Sequence, residues 1–421
     1  MTFLHIYINI IMGKLPVKRF LDEIAYSDIF SRQMRFVAGP RQSGKTTSAR
    51  LQLDAMRCGM FYYNWDRREI RERYRKEGDF FSRDLLNMPP AGRAWACFDE
   101  IHKAPKWKNI LKDFFDTHQD KASFIVTGSA RLDMFRRAGD SLAGRYFLFK
   151  MNPLLIAEMA GRKYKDILPE DNPQAYVEKM IAGKSGAQRI MDDMLRFSSF
   201  PEPLMSGNEI FSKKWHQEYP ERIIKEDLRD ISSIHNLEKV MDLIYLLPGK
   251  IGVPLSINAL REDLELNFNT VKSYMNYLVL TYVLFEVPPY HRKKTRLVKS
   301  EKKAYFFDLA LVDNPAARFE NFVALELLTR VNLWNDSAGD TFKLCFVKMR
   351  GGNETDFLLT RNNAPYLLIE AKSSAGGIDR HHYAHSALLG NIPFVQLTRE
   401  KDILKTHQNR FFEVSASRFL S

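Results

Sequence analysis

The chain has 421 residues, 45% of them hydrophobic and 27% charged, which excludes a disordered chain and gives material for about two to four domain cores. Lysine and arginine total 63 against 51 acids, so the formal charge is +12 and a polyanionic partner, nucleic acid or an acidic surface, is favoured. Cys58, Cys97 and Cys345 are too few and too scattered for a disulfide framework or a zinc site, which points to the reducing cytoplasm.

Residues 1–19 read as an N-terminal extension. Its MTFLHIYINIIM run lacks a leading positive charge and a cleavage site, and about a dozen residues fall short of the ~20 that span a bilayer. Met12 is an alternative start, and no later run is apolar for long enough to cross a membrane. Residues 20–152 alternate strand-like runs with amphipathic stretches, the pattern of a parallel α/β sheet. The strands expected are Met34–Ala38, Met60–Trp65, Ala94–Phe98, Ser123–Thr127 and Tyr146–Met151. Trp107–Thr117 reads as a helix from its apolar spacing, and the charge run Arg67–Lys76 as an exposed helix face.

Gly39-Pro40-Arg41-Gln42-Ser43-Gly44-Lys45-Thr46, with Thr47 following, fits G-x-x-x-x-G-K-[ST] between a strand and a helix expected over Thr46–Met56. The glycines let backbone N–H groups turn inward around the phosphates of ATP, at the positive end of the helix. Lys45 would reach the β- and γ-phosphates and the Thr46 hydroxyl would ligate Mg²⁺. Trp95-Ala96-Cys97-Phe98 is an apolar strand ending in two acids. Asp99 would hold Mg²⁺ opposite Thr46, and Glu100 would polarise the attacking water. Ser129, at the end of a third strand, is placed to sense the γ-phosphate or orient water, ahead of Thr127. Arg145 is a candidate finger for its own or a neighbouring subunit. For these last residues a polar strand cap and a surface arginine are the alternatives.

GPRQSGKTT, GMFYYNWD, FDEIHKAPKW, VTGSA, SLAGR and NPLLIAE together resemble the prokaryotic AAA+-type ATPases, most closely the subgroup in which AAA domain 14 is followed by a DUF4143 region. That group usually carries Gln where this chain has His102, a change that would alter a contact to a neighbour. The resemblance implies a sheet in the order 5-1-4-3-2, a helical lid, and a site at the strand C-termini.

Residues 153–235 are mostly helical and fit a lid or linker, and the Met- and aromatic-rich stretches around 190–245 fit helical core. Residues 236–304 contain a winged helix-turn-helix pattern. Its second helix has Val271, Tyr274, Met275 and Leu278 inward and Asn269 or Thr270 as N-cap. The basic run 291–303 would sit in the wing and, with Asn269, Thr270, Lys272 and Ser273, contact DNA; a purely scaffolding role is the alternative.

Residues 305–421 form a last α/β segment. Pairing Thr360 with Tyr366 sets Asp356 opposite Glu370, with Lys372 on the same face. Asp356, Glu370 and Lys372, with Glu320 as a further acid, make a metal-nuclease constellation that would hold a second Mg²⁺. The segment resembles the PD-(D/E)xK nuclease-like fold, although Glu354–Thr355 replaces the motif's proline. A salt-bridge cluster on an inactive fold is the alternative. His381, His382 and His385 read as a solvated helix face. The fold expected is thus α/β: a P-loop NTPase with a helical lid, a winged helix-turn-helix and a restriction-endonuclease-like domain. Three functions fit: an ATPase working on a partner, with DNA favoured; a nucleotide-dependent switch with negligible turnover; and an ATP-licensed nuclease. A homo-oligomer stays open.

Overall fold

The computed structural model describes residues 17–87, 92–128, 142–183, 186–228, 236–291, 301–349 and 352–421. Strands β1 (Met34–Ala38), β2 (Tyr62–Asn64), β3 (Ala94–Asp99), β4 (Ala122–Gly128) and β5 (Tyr146–Lys150) form one sheet in the order β2-β3-β4-β1-β5. Every pair is parallel, and the order is the expected one read from its other edge. All residues of β1, β3 and β4 are buried, as strands covered on both faces must be. Parallel pairing gathers the strand C-termini at one edge, where the segments after β1 and β3 open side by side.

Helix α1 (Lys45–Ala55) follows β1 directly. Helix α2 (Trp107–His118) buries Trp107, Ile110, Leu111, Phe114 and Phe115, the residues its spacing selects. Phe98 stacks between Phe114 and Phe124, at 5.6 and 5.8 Å, and so fastens α2 to the sheet. No residue of the helix Arg68–Lys76 is fully buried, and its Ile70 and Tyr74 rest half-buried on the core, which agrees with an exposed charged face.

Within 190–245, Met191, Met194, Trp215 and Tyr219 are buried, as expected of helical core. Helix α3 (Glu209–Ile223) brings Trp215 and Tyr219 into a stack 4.5 Å apart. Two further helices, Ile257–Leu264 and α4 (Phe268–Leu280), precede an antiparallel ladder of β6 (Leu284–Val287) with β7 (Lys303–Phe306). The cap of α4 is Asn267, whose side chain accepts from the Thr270 N–H at 2.8 Å. Asn269 and Thr270, expected as caps, lie inside the first turn, because the Asn267 carboxamide is the one that reaches an orphan N–H. Of the basic run, residues 292–300 lie outside the described residues. Lys302 pairs with Glu286, and Lys303 is fully buried.

The long helix α5 (Pro315–Ser337) starts at Asn314, which caps two N–H groups ahead of a proline at the first position. It packs the first sheet's trailing segment against a second sheet: Ile156 N–H donates to Glu326 at 2.7 Å and Trp334 to the Ile167 carbonyl at 3.0 Å. One contiguous core runs from Phe20 to Leu420. The second sheet has the order β12-β13-β11-β10-β9-β8, with β8 (Phe342–Lys348), β9 (Glu354–Arg361), β10 (Ala364–Lys372), β11 (Phe394–Thr398), β12 (Leu404–His407) and β13 (Phe411–Ser415). The turn between β9 and β10 is Asn362–Asn363, both left-handed, tighter than the five-residue loop expected. A register shift between Pro365 and Leu367 then sets Leu367 against Leu359 and Ile369 against Phe357, the pairing expected for this end of the hairpin. Among the described residues no helix is long and apolar enough to cross a membrane.

Candidate functional site

The turn out of β1 demands glycine at its first position, since a Cβ on Gly39 would stand 2.2 Å from the Met151 carbonyl oxygen. Gly44, at φ 100°, caps α1 in a left-handed conformation and swings the chain into the helix. Ser43 is fully buried between them, and its hydroxyl has no hydrogen-bond partner among the described residues. The Lys45 ammonium lies back over the loop and donates to the carbonyls of Gly39 at 3.0 Å and Pro40 at 2.5 Å. Arg19 braces the loop from behind: it donates to the Ser43 carbonyl at 2.8 Å while holding Glu158 at 3.1 Å.

Asp99 is buried at the tip of β3 and collects three hydroxyls. Thr46 donates to it at 3.0 Å, and Tyr62 and Thr127 each at 2.5 Å. A hydroxyl and a carboxylate at the start of a helix are hard oxygen donors, the set that suits Mg²⁺. Glu100 turns out of β3 with φ 56°, and its Oε2 is buried and accepts no hydrogen bond among the described residues. Burial pushes the Glu100 carboxyl up to about 7, against the pull of Lys103. His102 is buried and faces Glu100, with Nε2 3.4 Å from Oε2.

Residues of the helical stretch 201–226 contact the loop. Glu202 accepts from Gln42 at 2.9 Å and from the Trp215 indole at 3.0 Å. Arg41 pairs with Glu226 at 2.7 Å, and the Tyr219 hydroxyl donates to the Arg41 carbonyl at 3.0 Å. Between the loop and these helices lies a cleft of about 520 Å³ lined by Gly44, Lys45, Thr46, Thr47, Glu100 and Arg222. That volume is in the range of small-molecule sites, ~300–1,000 Å³. A larger cavity, about 640 Å³, opens beside His216, Lys213 and Arg318, but it lies away from the phosphate-type loop. Chemistry, not size, selects the site.

Ser129 lies outside the described residues, and Thr127 faces Asp99. Arg145 is at the wrong edge for its own loop. It precedes β5, so it lies at the N-terminal edge of a parallel sheet, roughly 16 Å from the other at ~3.3 Å per residue. There Asp116 holds it at 2.7 and 2.9 Å. Sequence reasoning missed Arg19, Tyr62 and Arg222, whose places depend on segments far along the chain.

In the second sheet Asp356 and Glu370 do face each other. The Asp356 N–H donates to Glu370 at 3.1 Å, the Ala371 N–H donates to Asp356 at 3.1 Å, and Lys372 lies 3.2 Å from Glu370. Glu320 joins them, accepting from the Tyr305 hydroxyl at 2.8 Å. His382 and His385 are buried, not solvated: both Nδ1 atoms bond the Thr355 hydroxyl, at 2.8 and 2.7 Å, because β9 runs beneath their helix.

Residues 31–160 match a family model described as an AAA domain, and residues 188–318 match one described as a domain of unknown function, DUF8612. The domain matched after the AAA domain is thus DUF8612, not the DUF4143 region expected over 305–421 from the resemblance. The chain is 24% identical to "Uncharacterized protein MJ1544" of Methanocaldococcus jannaschii over 277 residues, which is 63% of this chain. It spans 58% of that relative's length. The chain therefore carries an AAA-type P-loop domain that holds both the loop and the Asp99–Glu100 pair.

Proposed function

We propose that the protein is a Mg²⁺-dependent ATPase that couples ATP binding and hydrolysis to action on a partner, with DNA the partner its charge favours. The observation that carries the reading is the bond from Thr46 to Asp99 at the mouth of the loop, beside a buried Glu100 oxygen that accepts no hydrogen bond among the described residues. The buried Ser43 hydroxyl, unpartnered among the described residues, fits a cradle that expects a phosphate oxygen.

In this reading the backbone N–H groups from Gly39 to Thr47 and the positive end of α1 hold the phosphates. Lys45 exchanges the Gly39 and Pro40 carbonyls for phosphate oxygens. Thr46 and Asp99 would hold Mg²⁺, which when bound would supply charge neutralisation on the phosphates. Glu100, once ionised, accepts a proton from the attacking water. A switch with negligible turnover is the second reading. It is favoured by the Gln42–Glu202 and Arg41–Glu226 contacts, through which anything that shifts the loop reaches the lid.

Glu100→Gln separates the two. The ATPase reading expects the variant to bind a fluorescent ATP analogue as the wild type does, while phosphate release falls by about 10²–10⁴-fold. Binding without measurable release in the wild type itself would give the switch reading the field.

A further inference from the structure

The carboxylates of the second sheet already have a cation. Lys303, on β7, is fully buried, and its ammonium lies 2.7 Å from Glu354, 3.0 Å from Asp356 and 3.4 Å from Glu320. Those three acids come from the start of β9 and from α5, and the atom they surround in common is Nζ. A divalent ion bound to them would need oxygens at ~2.0–2.6 Å and would have to occupy the volume the ammonium fills. Further donors crowd the same group. The Asp356 N–H donates to Glu370, the Ala371 N–H donates to Asp356, Lys372 sits on Glu370, and the Tyr305 hydroxyl donates to the Glu320 oxygen that Lys303 faces. Gly252 closes the remaining side, for a Cβ there would meet the Glu320 carboxylate at 2.7 Å.

We propose that Lys303 is a built-in cation that stands in place of a divalent metal, so that the docked β6–β7 ladder keeps the Asp356–Glu370 patch metal-free and closed to phosphodiester chemistry. The lysine comes from the hairpin that follows α4, and the acids come from the C-terminal sheet. The same contact therefore keys the two-helix module to that sheet, a job that asks for a buried ion pair rather than an exchangeable ion. The inference concerns a different surface from the nucleotide cleft and does not depend on the ATPase reading.

The test is uptake of Mn²⁺ by the nucleotide-free full chain, followed by paramagnetic resonance of the unbound ion. Wild type and Asp356→Asn are expected to take up the same amount of Mn²⁺, because the patch takes none. Lys303→Met, checked for folding by circular dichroism, is expected to gain one ion per chain, and Lys303→Met with Asp356→Asn to lose it again. A wild type that binds one Mn²⁺ more than Asp356→Asn overturns the proposal, as does a folded Lys303→Met that gains none. Should Lys303→Met not fold, Lys303→Arg, which keeps the charge, replaces it and is expected to match the wild type. Extra Mn²⁺ bound by Lys303→Arg but not by its Asp356→Asn double variant overturns the proposal too.

Discussion

The Thr46 hydroxyl donates to the Asp99 carboxylate across 3.0 Å, joining the first turn of α1 to the tip of β3 over 53 positions of sequence. Because Tyr62 and Thr127 also donate to Asp99, the carboxylate is oriented from two neighbouring strands and a helix end before any ligand arrives. Asp99→Asn keeps the shape and removes the charge. It is expected to lower turnover roughly 10²–10³-fold at physiological Mg²⁺ with little change in melting temperature. A Mg²⁺ titration of phosphate release checks this, and an Asp99→Asn profile that overlays the wild type would count against a metal role.

Burial holds the Glu100 carboxyl near 7, above its ordinary value of 4.5. A base must be ionised to accept a proton, so kcat/KM should rise with pH up to about 7–8 and then level off. In Glu100→Gln the rise should vanish. Persistence of the same limb in that variant would assign it to another group.

Arg19 and Glu158 form a buried pair behind the loop, with side chains 8% and 2% exposed. Removing one partner strands the other in the core, at a cost of about 3–5 kcal/mol. Arg19→Met should therefore lower denaturant-measured stability by that order and weaken nucleotide binding as Ser43 loses its brace. A loss below ~1 kcal/mol would mean that water repairs the gap.

Stability should fall as the solution becomes alkaline. Burial and the neighbouring Asp356 push Glu370 up to about 8, and burial pushes Glu320 to about 7 and Glu326 to about 8. The folded chain holds protons there that the unfolded chain has already released. The contribution is thus fully present below about pH 4.5 and is lost as pH rises through 7–8. Melting temperature is expected to drop between pH 6 and 9, with a shallower slope in Glu370→Gln. An unchanged slope would remove Glu370 as a source.

What the sequence made legible was local. The loop follows from eight adjacent residues, the central strands from continuous apolar runs, and the Asp356–Glu370 pairing from hairpin arithmetic that survived a register shift near the turn. For Arg145 strand direction bears on one of its readings, since a residue that precedes a parallel strand stands opposite the edge where its own chain's loop opens; the reading as a finger for a neighbouring subunit does not turn on it. The histidines of the helix Arg380–Leu388 looked solvated because their cover, Thr355, comes from another strand. Lys303 stands at the end of a basic run and reads as wing surface. Its partners lie 17 to 53 positions away, and no periodicity announces them.

The most direct test of the account is phosphate release from ATP by the purified full chain, with and without DNA at moderate salt, beside Lys45→Ala. The account predicts Mg²⁺-dependent release by the wild type that DNA accelerates and Lys45→Ala abolishes. Release at equal rates in both proteins, or none from a wild type that demonstrably binds ATP, would contradict it.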